Sequence, residues 1–476
     1  MGDSTKCFSA PPVEAEHTLN FKGGKDMKKI RKLLCAVLAM VMVLSLAACG
    51  GPSSEASKAP EGNNSSAPAQ SNQGGEPSNE EVTLNWAIWD KDSTAYWQAL
   101  ADGYMKGHEN VKIEMTDLGS NDYMTQLATQ LSGGNGELDV VSIKDIPGYA
   151  NLINLDLLVP LNDKLTTPKE DFNGVLDQLT AEDGNFYGIP FRSDFWVVFY
   201  NKDLFDDAGV DYPSNDMTLD QYDELMRKMT SGSGAEKVYG GHYHTWRSAV
   251  SLFGILDGKN TIVDGSYDFL KPVYERVLKQ QEDGVVPDFG ELKTSGLHYS
   301  AAFQNGSAAM VNMGSWFLAT MQKYNAEAAS NGVEPVNFGM VKYPHPDGAP
   351  AGSTLGTVTS LGVNVNSTKQ EAAIDFVNWC ASAEGAAVVA ATGTFPAAST
   401  SETLDIIAAT EGFPEDAASK EALTTAAVYL EMPYSPKASE IETVLNTEHD
   451  AIMTGAETVD EGIKNMNEQV QAILNG

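Results

Sequence analysis

Tyr187–Phe205 reads YGIPFRSDFWVVFYNKDLF. Gly188 and Pro190 break helix and unsettle sheet pairing, so an element boundary falls there. From Phe195 to Tyr200 the chain is an unbroken aromatic and β-branched run, the pattern of a strand buried on both faces. Between boundary and strand sit Arg192, Ser193 and Asp194. Two charges at the mouth of an apolar strand suit a chain crossing a cleft between two lobes; an ordinary core strand with a polar end is the blander alternative.

Composition narrows the classes. The chain has 476 residues, 20% charged and 42% hydrophobic, which is globular rather than disordered. A net charge of −34 argues against a nucleic-acid partner, because phosphate binding needs a basic face. Cys7, Cys35, Cys49 and Cys380 are too few for a disulfide framework.

Residues 27–48 read as a targeting segment. Met27-Lys-Lys-Ile-Arg-Lys is basic, and Leu33–Leu46 is an apolar run too short to be a secure membrane span. The run ends in Leu46-Ala47-Ala48-Cys49, which resembles the lipobox of bacterial lipoproteins, where the cysteine thiol is acylated. A short anchor followed by a chance cysteine is the alternative. Residues 1–26 show no periodicity, and Lys22-Gly23-Gly24 can be encoded by a ribosome-binding site just ahead of Met27. They are expected to be an untranslated leader. Residues 49–81 are rich in Ser, Pro, Gly, Asn, Ala and Glu and have no aromatic residue, so they form a tether. Without residues 1–48, 24 Lys/Arg face 61 Asp/Glu, a net of −37. That acidity favours solubility and says little about a ligand.

From Val82 the body is long enough for two domains. Val82, Leu84, Trp86 and Ile88 alternate with smaller or polar residues, giving a strand that ends at Trp89-Asp90. Ser93 or Thr94 can cap a helix carrying Trp97, Leu100, Ala101 and Tyr104. Val111–Met115 is a second strand, 122–131 a helix, and Leu138–Ile143 a buried strand ending at Lys144-Asp145. This order predicts a parallel sheet with right-handed crossovers, whose ligands lie beyond the carboxyl ends of the strands. Farther on, Leu219–Met229 and 267–282 read as helices and Val238–Tyr243 as a strand. That strand leads into His242-Tyr243-His244-Thr245-Trp246-Arg247.

Several segments resemble the extracellular solute-binding proteins of sugar transporters, family 1, the group that includes maltodextrin-binding protein. Tyr187–Phe205 is similar to its first inter-lobe crossover. Phe303-Gln-Asn-Gly-Ser-Ala-Ala-Met-Val-Asn-Met-Gly-Ser-Trp316 resembles the segment that brings a tryptophan to the ligand cleft. Leu361–Asn366 with 369–382, and Gly393-Thr-Phe-Pro396, resemble the following strand, helix and loop. The loop at 242–247 does not align securely. The resemblance implies an α/β, two-lobe periplasmic-binding-protein-like fold with three inter-lobe crossovers, near 190–195, 342–346 and 378–383. Residues 82–192 and 345–380 would form lobe 1, and residues 193–344 and 381–476 lobe 2. It further implies a monomeric, lipid-anchored protein on the outer face of the cytoplasmic membrane, at the cell surface of a Gram-positive bacterium or in the periplasm otherwise. Such a protein captures a carbohydrate, an oligosaccharide by expectation, and delivers it to the membrane subunits of an ABC importer; it has no enzymatic activity and no cofactor.

Sugar recognition needs flat aromatic faces and planar polar groups. Trp89, Tyr243, Trp246 and Trp316 are the aromatic candidates; Asp90, Lys144, Asp145, Arg192, Asp194 and Arg247 are the polar ones. Asp90, Asp194 and Trp316 are those the resemblance supports best. Trp97 and Trp379, on amphipathic helices, are expected in the core. His242 and His244 can be metal ligands or a solvated or ligand-facing pair, with no obvious third ligand. Gly352-Ser-Thr-Leu-Gly356 lacks the Lys of a phosphate-binding loop. Two alternatives stay open here: a binding protein for a peptide, polyamine or organic acid, and a surface glycoside hydrolase built on paired carboxylates among Asp90, Asp92, Asp145 and Asp194.

Overall fold

The structure is a computed structural model that describes residues 81–119, 122–134, 136–172 and 174–476. The leader, the targeting segment with Cys49 and the tether up to residue 80 lie outside the described residues. Strand β1 (Val82–Ile88) buries Leu84, Trp86 and Ile88 as its alternation requires. It pairs in parallel with β2 (Val111–Asp117) on one side and β3 (Val140–Ile143) on the other. The indole of Trp86 donates to Ser142 Oγ at 2.9 Å, tying β1 to β3 inside the core. Helices Ala95–Gly107 and Tyr123–Ser132 make the connections, as expected. Thr94 holds the first N-cap position without a side-chain capping bond.

The next strand joins the two halves of the molecule. β4 (Ile189–Asn201) runs for 13 residues. Its second half lies between the antiparallel strands β5 (Met310–Gly314) and β6 (Phe338–Lys342). Its first half pairs antiparallel with β7 (Ser353–Val363), which pairs on with β3. A short strand, β8 (Ala427–Leu430), lies parallel to the start of β7. One strand therefore serves two sheets, and the passage between them comes at Phe195–Trp196. The register slips between Pro190 and Arg192, where proline has no N–H to give the ladder. There the 393–397 loop takes over: Ala397 donates to the Phe191 carbonyl and Ser193 donates to that of Phe395.

A chain serving two sheets in this way builds two lobes, each an α/β layer of its own. The return passage lies between β6 and β7. Helices Leu219–Met229 and Lys271–Glu282 form where periodicity places them, and Gln370–Cys380 where the family resemblance implies one. The first carries a full capping box between Thr218 and Gln221. Cys380 is fully buried, and burial holds its thiol well above the ordinary range, so it is inert.

The expected strand at Val238–Tyr243 does not form. Only three isolated bridges do, Val238 to Ser231, Tyr239 to Ala308 and His242 to Val311. Helix Leu219–Met229 explains why. The Gly240 N–H is taken by Thr230 Oγ1 at 3.1 Å, and a Cβ on Gly240 would stand 1.7 Å from the Met226 carbonyl oxygen. The segment is thus pinned against a helix end instead of extending a sheet.

Candidate functional site

A cavity of about 700 Å³ opens where the sheets meet along β4. The parallel strands deliver Trp89 from the end of β1 and Lys144-Asp145 from the end of β3. β4 gives Arg192, β7 gives Thr357 and Thr359, and the second lobe gives Trp246, Arg247 and Trp316. Of the ten expected ligand residues, Trp89, Lys144, Asp145, Arg192, Trp246, Arg247 and Trp316 line this one cavity. Asp90, Asp194 and Tyr243 do not.

The second-lobe wall is aromatic. Trp246 is 41% exposed, an unusual state for an indole unless something covers it. Its ring lies 6.3 Å from that of Trp316, which meets Trp196 edge-on at 5.9 Å and donates its indole N–H to Tyr299 Oη at 3.1 Å. The Gly314-Ser315-Trp316 sequence now has a physical account. A Cβ on Gly314 would lie 2.0 Å from the Trp316 ring, so only glycine lets the indole fold back over the strand end. Ser315 Oγ accepts from the Phe195 N–H at 3.3 Å and donates to Asp194 Oδ1 at 2.8 Å, locking the turn to β4.

Asp194 is 2% exposed, behind Arg192 and not in the cavity. Its other oxygen lies 2.5 Å from Arg192 Nη2. Arg192 also donates to Tyr96 Oη at 3.3 Å and lies over that ring. The acid holds the guanidinium, and the guanidinium faces the cleft. Asp145 is open to the cleft but is also the N-cap of helix Ile146–Asn154, accepting the Gly148 N–H at 2.7 Å. Trp89 is mostly core: it packs edge-on against Trp97 and Tyr123, and Lys144 Nζ sits 5.5 Å from its ring centroid. Asp90 turns the chain out of β1 with a left-handed φ of 49°.

Tyr243 is placed elsewhere. With Tyr222, Phe253, Arg276 and Gln280 it lines a separate cavity of about 240 Å³ in the second lobe. It follows the segment pinned at Gly240, which does not extend a strand toward the cleft. His242 is fully buried and stacks with His244 at 6.5 Å; His244 meets Trp246 edge-on at 4.6 Å. Burial pushes the two rings down to about 3 and about 4 respectively, so both are neutral at pH 7. His242 is thus neither solvated nor ligand-facing, and His244 backs the aromatic wall. Among the described residues no three His, Cys, Asp or Glu side chains are grouped to hold a metal. Trp97 is core, as expected, and Trp379 is partly buried against it.

Sequence reasoning missed a whole side of the cavity. Helix Ala438–Met453 contributes Glu442, Asn446, His449 and Asp450, spaced to share one helical face. That spacing was readable, but the side it faces was not. Glu431 and Met432 follow β8, and Thr245, Ser248 and Lys293 complete the lining. Asn446 accepts from Arg247 Nε at 3.2 Å, and Asp450 pairs with Lys293 at 2.8 Å.

Comparison with known proteins agrees with this geometry. Residues 90–387 match the model of the bacterial extracellular solute-binding proteins. A sugar transporter from Rhizobium etli, solved in an open conformation, is 52% identical with a TM-score of 0.76, covering 82% of this chain and 99% of that one. The lactose-binding protein of Rhizobium radiobacter is 25% identical over 63% of this chain and 69% of its own length. The arabinooligosaccharide-binding protein of Halalkalibacterium halodurans is 32% identical over a shorter stretch, 23% of this chain and 24% of that protein. With its two lobes and the cleft along β4, the chain belongs to the bacterial extracellular solute-binding proteins of family 1, a family of binding proteins and not of enzymes.

Proposed function

We propose that the cleft captures a neutral carbohydrate, an oligosaccharide, for delivery to an ABC importer. The observation that carries this is the pairing of two cavity-lining indoles, the exposed Trp246 and the half-buried Trp316, with a charge-balanced polar wall. Lys144, Arg192, Arg247 and Lys293 stand against Asp145, Glu431, Glu442 and Asp450. A polyamine site would carry an excess of carboxylates and an organic-acid site an excess of cations. Balanced charges that both donate and accept suit hydroxyl groups, and the indoles suit the C–H faces of sugar rings. The lactose- and arabinooligosaccharide-binding relatives support the same ligand class. Trp89, Asp145 and Arg247 are proposed as partial contacts alongside Lys144, Arg192, Trp246 and Trp316.

The proposed lobes keep the expected divisions with one change. Helix Ala383–Ala390 packs on helix Ala95–Gly107, and the 393–397 loop docks on β4. Both favour a third passage after that loop instead of near 378–383. The carbohydrate reading is tested by a thermal-shift screen of lactose, arabinotriose, diacetylchitobiose and galactooligosaccharides against spermidine, citrate and a tripeptide. A ligand at a hundred times its Kd stabilises by about 2.7 kcal/mol, so at least one saccharide is expected to raise Tm by a few degrees. A rise with spermidine, citrate or the tripeptide alone overturns it.

Anchoring through Cys49 to the outer face of the cytoplasmic membrane is the other proposal, carried by Leu46-Ala47-Ala48-Cys49 ahead of a tether. Cys49→Ser is expected to move the protein from the detergent phase to the aqueous phase on Triton X-114 partitioning. Unchanged partitioning would contradict the lipid anchor.

A further inference from the structure

Glu431 lines the cavity directly after β8. One carboxylate oxygen accepts the indole N–H of Trp196 at 2.5 Å. Trp196 belongs to β4 and is the ring against which Trp316 stands edge-on. Arg247 and Ser248 face Glu431 from the turn Arg247–Ala249, Glu442 from helix Ala438–Met453, and Tyr343 from the segment after β6. β7 adds only the uncharged Thr357 and Thr359 to this cavity. A single acid is therefore wired to the aromatic wall on one side and open to the ligand space on the other.

We propose that Glu431 is a proton-sensitive recognition group, whose protonation decides what this point of the cleft offers to a ligand hydroxyl and how Trp196 and Trp316 are held. As a carboxylate it takes the Trp196 N–H in a charge-assisted bond and presents an acceptor to the cavity. As an acid it presents an O–H donor and holds Trp196 more weakly. Burial pushes this carboxyl up to about 7, against the opposing effects of the Trp196 and Ser248 hydrogen bonds and of Arg247, so the change falls within the neutral range. The sign for stability follows: a carboxyl whose folded pKa is raised contributes most below its ordinary value and loses that contribution as pH rises through about 7. The hydroxyl part of this proposal rests on the carbohydrate reading; the proton part does not.

The test uses the ligand-free protein, with the proton as probe. Intrinsic fluorescence followed from pH 5 to 9 is expected to show a transition with its midpoint near 7. The transition is expected to vanish in Glu431→Gln and to persist in Glu442→Gln. Carbon-13 NMR of labelled glutamate reads the same group directly, and Trp196→Phe, which removes the N–H that favours the carboxylate, is expected to raise the midpoint. No transition in the wild type, or a transition that survives in Glu431→Gln, overturns the proposal. Because no saccharide is present, the outcome is independent of the thermal-shift screen.

Discussion

Asp194→Ala is expected to lower Tm by about 4–6 °C before any ligand is added. Asp194 and Arg192 form an ion pair with side chains only 3% and 18% exposed. Removing one member of a buried pair costs about 3–5 kcal/mol, mostly because the other charge is left without compensation. At ~2.1 cal/mol/K of unfolding entropy per residue over roughly 400 residues, that cost becomes the stated shift. The loss falls where β4 passes between the sheets, since Asp194 also accepts from Ser315. Affinity should fall as well, because Arg192 loses what aims it into the cleft. This differs from the role the family resemblance suggested, in which Asp194 meets sugar hydroxyls itself. Differential scanning calorimetry separates the two: an unchanged Tm with binding weakened tenfold would put Asp194 in contact with the ligand.

The second large effect concerns the indoles. Trp246→Ala and Trp316→Ala are each expected to weaken saccharide binding about tenfold to a hundredfold. Aromatic contact contributes about 0.5–1.5 kcal/mol beyond burial, the lost apolar area adds to it, and ~1.4 kcal/mol is a factor of ten. Their effects on folding should differ. Trp246 is 41% exposed, so its loss should leave Tm unchanged. Trp316 packs on Trp196 and donates to Tyr299, so its removal should cost a few degrees. Titration calorimetry with a saccharide chosen by thermal shift, beside a melting curve for each variant, tests both halves. Full affinity in Trp246→Ala would remove the aromatic wall from the binding account.

These contrasts show which parts of the molecule were legible in its sequence. β4 was, because an aromatic and β-branched run bounded by Gly188 and Pro190 is a local strand signal, although the run alone fits an ordinary core strand as well. The parallel β1–β3 unit was, because alternation and helix spacing are local signals, and with them came the cleft positions of Trp89, Lys144 and Asp145. Trp316 could be placed from Gly314-Ser315, and the contacts of that glycine explain why. Asp194 was legible as a charge at the strand mouth, but not its burial behind Arg192, since sequence cannot separate an acid that faces the cleft from one that holds the arginine facing it. The place of Tyr243 in a separate cavity was not legible, because the segment before it is held by a helix end at the Gly240 N–H, a contact between segments with no shared pattern. Glu431 and the polar face of Ala438–Met453 were missed because β8 is only four residues long and carries no period of its own. Which way the helical face points is decided by packing against distant elements.

The central claim is that the ligand lies in the cleft along β4. A crystal structure with a saccharide selected by thermal shift tests it most directly. Sugar rings are expected against Trp246 and Trp316, with hydroxyls within hydrogen-bond distance of Arg192, Arg247 and Glu431. Saccharide density in the separate cavity beside Tyr222 and Tyr243, with the cleft holding only solvent, would contradict it.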